Sequence, residues 1–170
     1  MYVSTKRYGH EAGFSICYRQ HKADSHCRYL HGYSLAFNFE FQSEILDVRN
    51  WVCDFGGFRT LKSFLEDYFD HTLLVAADDP DRSFLEGLNH FYNTEPRALA
   101  QVRIVPKTGC EGLADYLFWH INEIWLLENG YGPESGVFCR KVHVQETPNN
   151  SAWVEHTPKS WIKFKLDHDL

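Results

Sequence analysis

The sequence predicts an α+β domain with a four-stranded antiparallel sheet and helices on one face. Three observations carry the prediction. Tyr33, Leu35, Phe37, Phe39 and Phe41 alternate with Ser34, Ala36, Asn38, Glu40 and Gln42, the pattern of a strand with one face on a core. Two segments, beginning at Phe58 and at Cys110, repeat apolar residues at helical spacing instead. Strand patterns lie at both ends of the chain with the helices between them, an order that suits a sheet covered on one face.

Taken in order, "EAGFSICYR" (residues 11–19) is bounded by glycine, contains aromatic and β-branched residues, and reads as the first strand. "QHKADSHCRYL" (residues 20–30) is polar, irregular and long for a hairpin turn. The alternating strand follows, and "NWVCDFGG" turns the chain into a helix. Phe58, Leu61, Leu65 and Tyr68 form its stripe, Phe64 and Phe69 widen it, and it is predicted to end near "DHTLLV" (residues 70–75). "DDPDRSFLEGLNHFYN" (residues 78–93) is punctuated and partly helical. In "CEGLADYLFWHINEIWLLENG" (residues 110–130), Leu113, Leu117, His120, Ile121, Ile124 and Leu127 line one side, and Gly130 is a suitable stop. "VFCRKVHVQE" and "SAWVEH" close the sheet as two strands.

With 170 residues, no repeat and no linker, the chain is read as one domain over its whole length. A formal charge of −6 without a basic run argues against nucleic acid and anionic membranes as partners. No apolar run approaches the roughly 20 residues of a membrane span, and the first residues lack the apolar core of a secretory signal. Five scattered cysteines without a CxxC pair suit reduced thiols in a cytoplasm.

Several short motifs occur in a fixed order. "HC", three residues and "HG" (His26 to Gly32) are followed by "W--DF" (Trp51, Asp54, Phe55) and "DH" (Asp70, His71). A glutamate opening the second helix (Glu111) and "V-V-ET" (Val142 to Thr147) complete the series. Each is weak alone; in order, from about Phe14 to Trp153, they resemble the 6-pyruvoyl/6-carboxytetrahydropterin synthase family. The resemblance implies a tunnelling fold (T-fold), with trimers stacked into a homo-hexamer and pterin pockets between subunits. It implies that Cys27 is the catalytic thiol, that Asp70 and His71 are the acid–imidazole pair supplied by a neighbouring subunit, and that Glu146 holds the pterin edge. Cys110 and Glu111 fall at the family's substrate-contacting helix start.

These residue types suit that chemistry independently of the resemblance. An imidazolium beside a thiol stabilises the thiolate and brings it toward neutral pH as a base. A neighbouring carboxylate fixes the imidazole tautomer. A 2-amino-4-oxo pterin presents a flat N–H pair that a carboxylate accepts with both oxygens.

The sequence departs from the family at its metal. The resemblance implies zinc held by three histidines, one in a pattern like "F-S-A-S-H" and two in "H-G-H". This chain has "FSICY" and "HGY", so Tyr18, His31 and Tyr33 stand at those positions. A phenol with a pKa of about 10 must lose a proton before it ligates well, whereas neutral imidazole faces no such cost. Zinc on His31, with His10, His21 or His26 rebuilding the site, stands against His31 hydrogen-bonded between two tyrosines. "TGCEG" also places Gly109 and Cys110 where the family has small hydroxylated residues, so contacts there pass through the backbone.

Plainer readings remain beside these. Cys27 also reads as a buried thiol, Asp70–His71 as a helix cap, Glu111 as an N-terminal helix carboxylate, and Glu146 as a solvated strand end. His120 reads as a core residue, and Cys17, Cys53 and Cys139 as small core hydrophobes. By resemblance, the function is that of a carbon–oxygen lyase acting on 7,8-dihydroneopterin triphosphate or a related pterin, similar to 6-carboxytetrahydropterin synthase on the route to queuosine. The alternative is a pterin- or purine-binding T-fold protein without turnover.

Overall fold

A computed structural model describes residues 1–89 and 98–168 of the chain. The long strand β3 (His31–Ser43) organises it. Along one edge of β3 run two shorter antiparallel strands, end to end. These are β1 (Tyr2–Tyr8) against its second half and β2 (Phe14–Tyr18) against its first. Between them the turn His10–Ala12 closes on Gly13, whose φ of 77° lies in the left-handed region that glycine tolerates. Along the other edge β6 (Phe138–Thr147) pairs antiparallel with β3, and β7 (Asn150–Glu155) pairs with β6.

β2 also pairs in parallel with β4 (Thr72–Ala76), which pairs in parallel with β5 (Gln101–Val105). The α+β class with helices against the sheet stands, but the four-stranded antiparallel expectation does not. The sheet is mixed and seven-stranded, in the order β5-β4-β2-β3-β6-β7 with β1 beside β3. Every residue of β4 is buried, and a short uninterrupted apolar run does not alternate, so its sequence passes for the end of the preceding helix. In β1, polar residues occupy both faces and most of the strand is exposed, which hides its period. The first strand therefore starts at Tyr2, and the one expected from residue 11 begins at Phe14.

Phe14, Phe37, Phe39 and Phe41 from the sheet pack against Phe58, Leu61, Leu65 and Phe69 of α1 (Phe58–Phe69). They also meet Leu113, Leu117 and Phe118 of α3 (Gly109–His120). Predicted as a core residue, His120 is partly buried and stacks on Phe64 at 4.0 Å. Beyond it the helix widens into a π-turn (Ile121–Trp125) before a last α-turn, α4 (Leu126–Glu128). The one extra residue rotates the buried face. Trp125 and Leu126 go inside, while Leu127, expected on the apolar side, is 52% exposed. Of the punctuated segment, α2 (Arg82–Glu86) and a turn to Asn89 are helical, and His90 to Asn93 lie outside the described residues.

A C-terminal helix, α5 (Pro158–His168), follows β7 and was not foreseen. Thr157 and Ser160 cap it reciprocally: the Ser160 N–H donates to Thr157 Oγ1 at 3.1 Å and the Thr157 N–H to Ser160 Oγ at 2.8 Å. Trp161 anchors the helix. It is buried, packs edge-on to Phe118, and its indole N–H donates to Glu123 at 2.6 Å. Trp161→Ala is expected to lower stability by about 3–5 kcal/mol in denaturant unfolding; a loss below about 1 kcal/mol would show that α5 is not part of the cooperative unit.

Candidate active site

The antiparallel register sets Tyr18 opposite His31 and Ile16 opposite Tyr33. Because alternate residues on a strand share a face, His31 and Tyr33 stand side by side with Tyr18 across from them. The Tyr18 and Tyr33 rings stack at 4.4 Å, and the His31 ring lies 4.7 Å from that of Tyr33. His31 Nδ1 sits 2.6 Å from the Tyr29 carbonyl, which only accepts, so Nδ1 carries the proton. Nε2 is then left to accept from the Tyr33 hydroxyl.

The fully buried Tyr18 donates its hydroxyl to Glu146 Oε1. Burial first, and then this bond to a carboxylate, hold the Tyr18 phenol far above its ordinary ionisation range. Burial and the Glu146 charge likewise push Tyr33 up to about 12. Glu146 sits where the β6–β7 register shifts, and its carbonyl accepts from His10 Nε2 at 3.3 Å. Cys110, in the first turn of α3, lies against the backbone N–H groups of Glu146 and Ala152. Burial, followed by the charges of Glu146 and Glu111, pushes its thiol up to about 12. Glu111 is itself exposed in that turn.

The loop carrying Cys27 is tied to the same helix start. Gln20 donates twice, its backbone N–H to the Cys27 carbonyl at 2.9 Å and its side-chain amide to the Thr108 carbonyl at 3.0 Å, and its carbonyl accepts the Ala23 N–H at 2.9 Å. Thr108 returns a hydroxyl bond to the Arg19 carbonyl at 2.8 Å. Gly109 leaves room for this: its φ is 90°, and a Cβ there would stand 2.0 Å from the Gln20 amide nitrogen. Cys27 is half-buried in the turn His26–Arg28, capped by Ser25, and stands near enough to Tyr33 that a negative charge there would oppose ionisation of the phenol. Sequence reasoning missed the roles of Gln20 and Thr108, and the chain carries no local signal for contacts spanning 88 residues.

Asp70 and His71 lie apart from this group within one chain. Asp70 Oδ1 accepts the Ser15 N–H at 2.9 Å and Oδ2 pairs with His71 Nδ1 at 2.9 Å. Burial raises the Asp70 carboxyl, but the Ser15 N–H and the His71 imidazole outweigh it and hold the group below its ordinary range. His71 is 81% exposed, with a φ of 53°. Ser15 stands three positions before Tyr18 on β2, a separation of about 10 Å at strand rise.

Of the other imidazoles, His10 turns to the Glu146 carbonyl, and His21 stands 3.8 Å from both Asp78 and Asp79. Among the described residues no group of three or more histidine, cysteine, aspartate and glutamate side chains is placed to hold a metal ion. A concavity of about 630 Å³ beside Arg140, Glu155 and His156 does not include the tyrosine–glutamate cluster.

A family model described as 6-pyruvoyl tetrahydropterin synthase matches residues 9–157. The chain belongs to that family. Solved structures agree on the fold. An uncharacterized protein from Wolinella succinogenes superposes with a TM-score of 0.71 at 20% identity, over 92% of this chain and 98% of that one. A catalytic-residue variant of the Plasmodium vivax 6-pyruvoyltetrahydropterin synthase gives 0.62 at 13% identity, over 92% and 99%. The Caenorhabditis elegans 6-pyruvoyl tetrahydropterin synthase gives 0.55 at 17%, over 92% and 96%. No curated protein sequence matches the chain. Among the described residues no helix is long and apolar enough to cross a membrane.

Tyr18 and Tyr33 are both harder to ionise folded than unfolded. The stability they contribute is therefore present below pH 10 and lost as pH rises from 10 toward 12. A phenolate absorbance titration should leave a late-titrating group still protonated at pH 10.5, made of Tyr18 and Tyr33 together with Tyr8, Tyr116 and Tyr131, whose phenols burial also raises, and Tyr18→Phe plus Tyr33→Phe should shrink that late step by two of the nine tyrosines. A single transition of all nine near 10 would contradict the buried pair.

Proposed function

We propose that this protein is a pterin lyase of the 6-carboxy- or 6-pyruvoyltetrahydropterin synthase type, acting on 7,8-dihydroneopterin triphosphate or a close relative. The supporting observation is the convergence of Glu146, Tyr18, Tyr33 and His31, with Cys27 beside them, on a scaffold of this family. Glu146 is the anchor for the pterin's N–H edge. Since Tyr18 holds Oε1, Oε2 is the oxygen left to accept from a ligand. Cys27 takes the proton from the side-chain carbon, in the role of a general base.

The donor set at the family's metal positions does not fit zinc. Two of its three members are phenols that stay protonated at neutral pH, and the third, His31, directs Nε2 at a hydroxyl. No step is drawn through a metal. Instead the Tyr33 hydroxyl, which His31 Nε2 accepts from in the free protein, turns its proton from that nitrogen to the oxyanion that forms as the side chain rearranges. Asp70 and His71 of a neighbouring copy complete the proton path in a homo-oligomer built of two trimers, a reading supported by their separation from Tyr18 within one chain.

Turnover of dihydroneopterin triphosphate by protein purified without added metal is the direct test, with zinc measured per subunit. Cys27→Ala should cut turnover by about 100-fold or more while leaving pterin affinity nearly intact. Glu146→Gln should weaken pterin binding itself. Cys27→Ala and His71→Ala, each inactive alone, should regain part of the activity when mixed and reassembled; no recovery would refute the shared site. Tight pterin binding without turnover would leave the protein a binder, and stoichiometric zinc lost on His31→Ala would overturn the metal-free reading.

A further inference from the structure

The reverse face of the sheet carries a second group of polar side chains. Val142 and Val144 of β6 are buried, so His143 and Gln145 between and after them point away from the core. Register aligns Arg7 of β1 with Asn38 of β3, and Asn38 with His143 of β6, in one row across three strands. These residues line a concavity of about 340 Å³ with Gln145, Ala36 and Phe37.

Two features of this row are unresolved by the chain itself. His143 Nε2 is buried and has no hydrogen-bond partner, which costs free energy unless something supplies one. Arg7 forms no ion pair among the described residues. Glu40, two residues along β3 from Asn38 and on the same face, is held by Arg140 at 3.7 Å and Lys141 at 4.0 Å. Trp153 closes the row edge-on to His143 at 6.0 Å, with Lys141 over its ring at 4.8 Å. The row thus presents a guanidinium, two amides and an imidazole nitrogen, and no carboxylate.

We propose that Arg7, Asn38, His143 and Gln145 form a binding site for a phosphate-type oxyanion. The guanidinium fork matches two oxygens of such a group, the Asn38 and Gln145 amides donate from the flanks, and His143 Nε2–H fills its vacant partner position. The site stands on the face of the sheet opposite Tyr18 and Glu146, and it does not depend on the reaction proposed there.

The test is a titration of the full-length protein with inorganic phosphate at constant ionic strength, read from the His143 imidazole resonances. The groups facing His143 are Arg7 from β1, Lys141 from its own strand, Trp153 from β7 and the Glu40 carboxylate from β3. Burial, and then Lys141, lower the His143 pKa in the free protein, so a bound anion moves its midpoint upward. Saturable shifts are expected with phosphate and with sulfate, and Arg7→Gln, a change at an exposed strand position, should weaken them by about tenfold or more. A phosphate monoester that binds more tightly than inorganic phosphate would identify the phosphate of a metabolite as the occupant; equal affinity would identify the free ion. Equal shifts with chloride, absence of saturation, or unchanged affinity in both Arg7→Gln and Asn38→Ala would overturn the site. Cys27→Ala should bind phosphate as the wild type does, which separates this outcome from any failure of the lyase reading.

Discussion

Alternation along β3 is the constraint from which the rest of the molecule follows. Thirteen residues in one extended run fix which side chains meet the helices and which meet solvent, and a slip of one position would exchange the two sets completely. Leu35, Phe37, Phe39 and Phe41 make that slip prohibitive, since each is fully or almost fully buried. The same register delivers His31 and Tyr33 to the core side of the sheet mouth and Asn38 to the reverse side. The polar side chains presented at both faces are therefore placed by packing in the middle of one strand.

Replacing imidazole by phenol at two positions changes what that mouth is able to do. Imidazole offers a lone pair at neutral pH; a buried phenol offers a proton. Tyr18 spends its proton on Glu146, so a residue near the start of the chain fixes the carboxylate near its end across 128 positions. Tyr33 directs its proton at His31. The result is two stacked neutral donors, one ending on a carboxylate and the other on an imidazole, inside a region where ionisation of the phenols is opposed by burial and by Glu146 together. In the proposed reaction such a site polarises by hydrogen bonding in a fixed arrangement.

The parts legible in the sequence are those whose signal is local. The period of two in residues 33–42 and the stripe from Phe58 to Phe69 both correspond to observed elements, because each buries one face against a core and leaves the other wet. What escaped is what lacks that contrast: Thr72–Ala76 buried on all sides, Tyr2–Tyr8 polar on both, and the face change after His120, where one inserted residue breaks a 3.6-residue period. Ordered motifs located Cys27, His31 and Glu146 as candidates without saying how they touch. The Tyr18–Glu146 bond, the Gln20 ties to Cys27 and Thr108, and the placing of Asp70 beside Ser15 are long-range contacts, and residue types alone do not encode the pairing.

The widened turn at Ile121–Trp125 has a mechanical meaning for the sheet. β7 has already ended where β6 begins, so the backbone of Cys139 has no strand neighbour on that side. The Asn122 side chain takes the vacant place, donating to the Cys139 carbonyl and accepting its N–H, both at 3.0 Å. One amide thereby acts as a one-residue strand and latches the helix to the sheet. Any motion of the α3–α4 helix must carry the beginning of β6 along with it, so helix and sheet at this end travel as a single body.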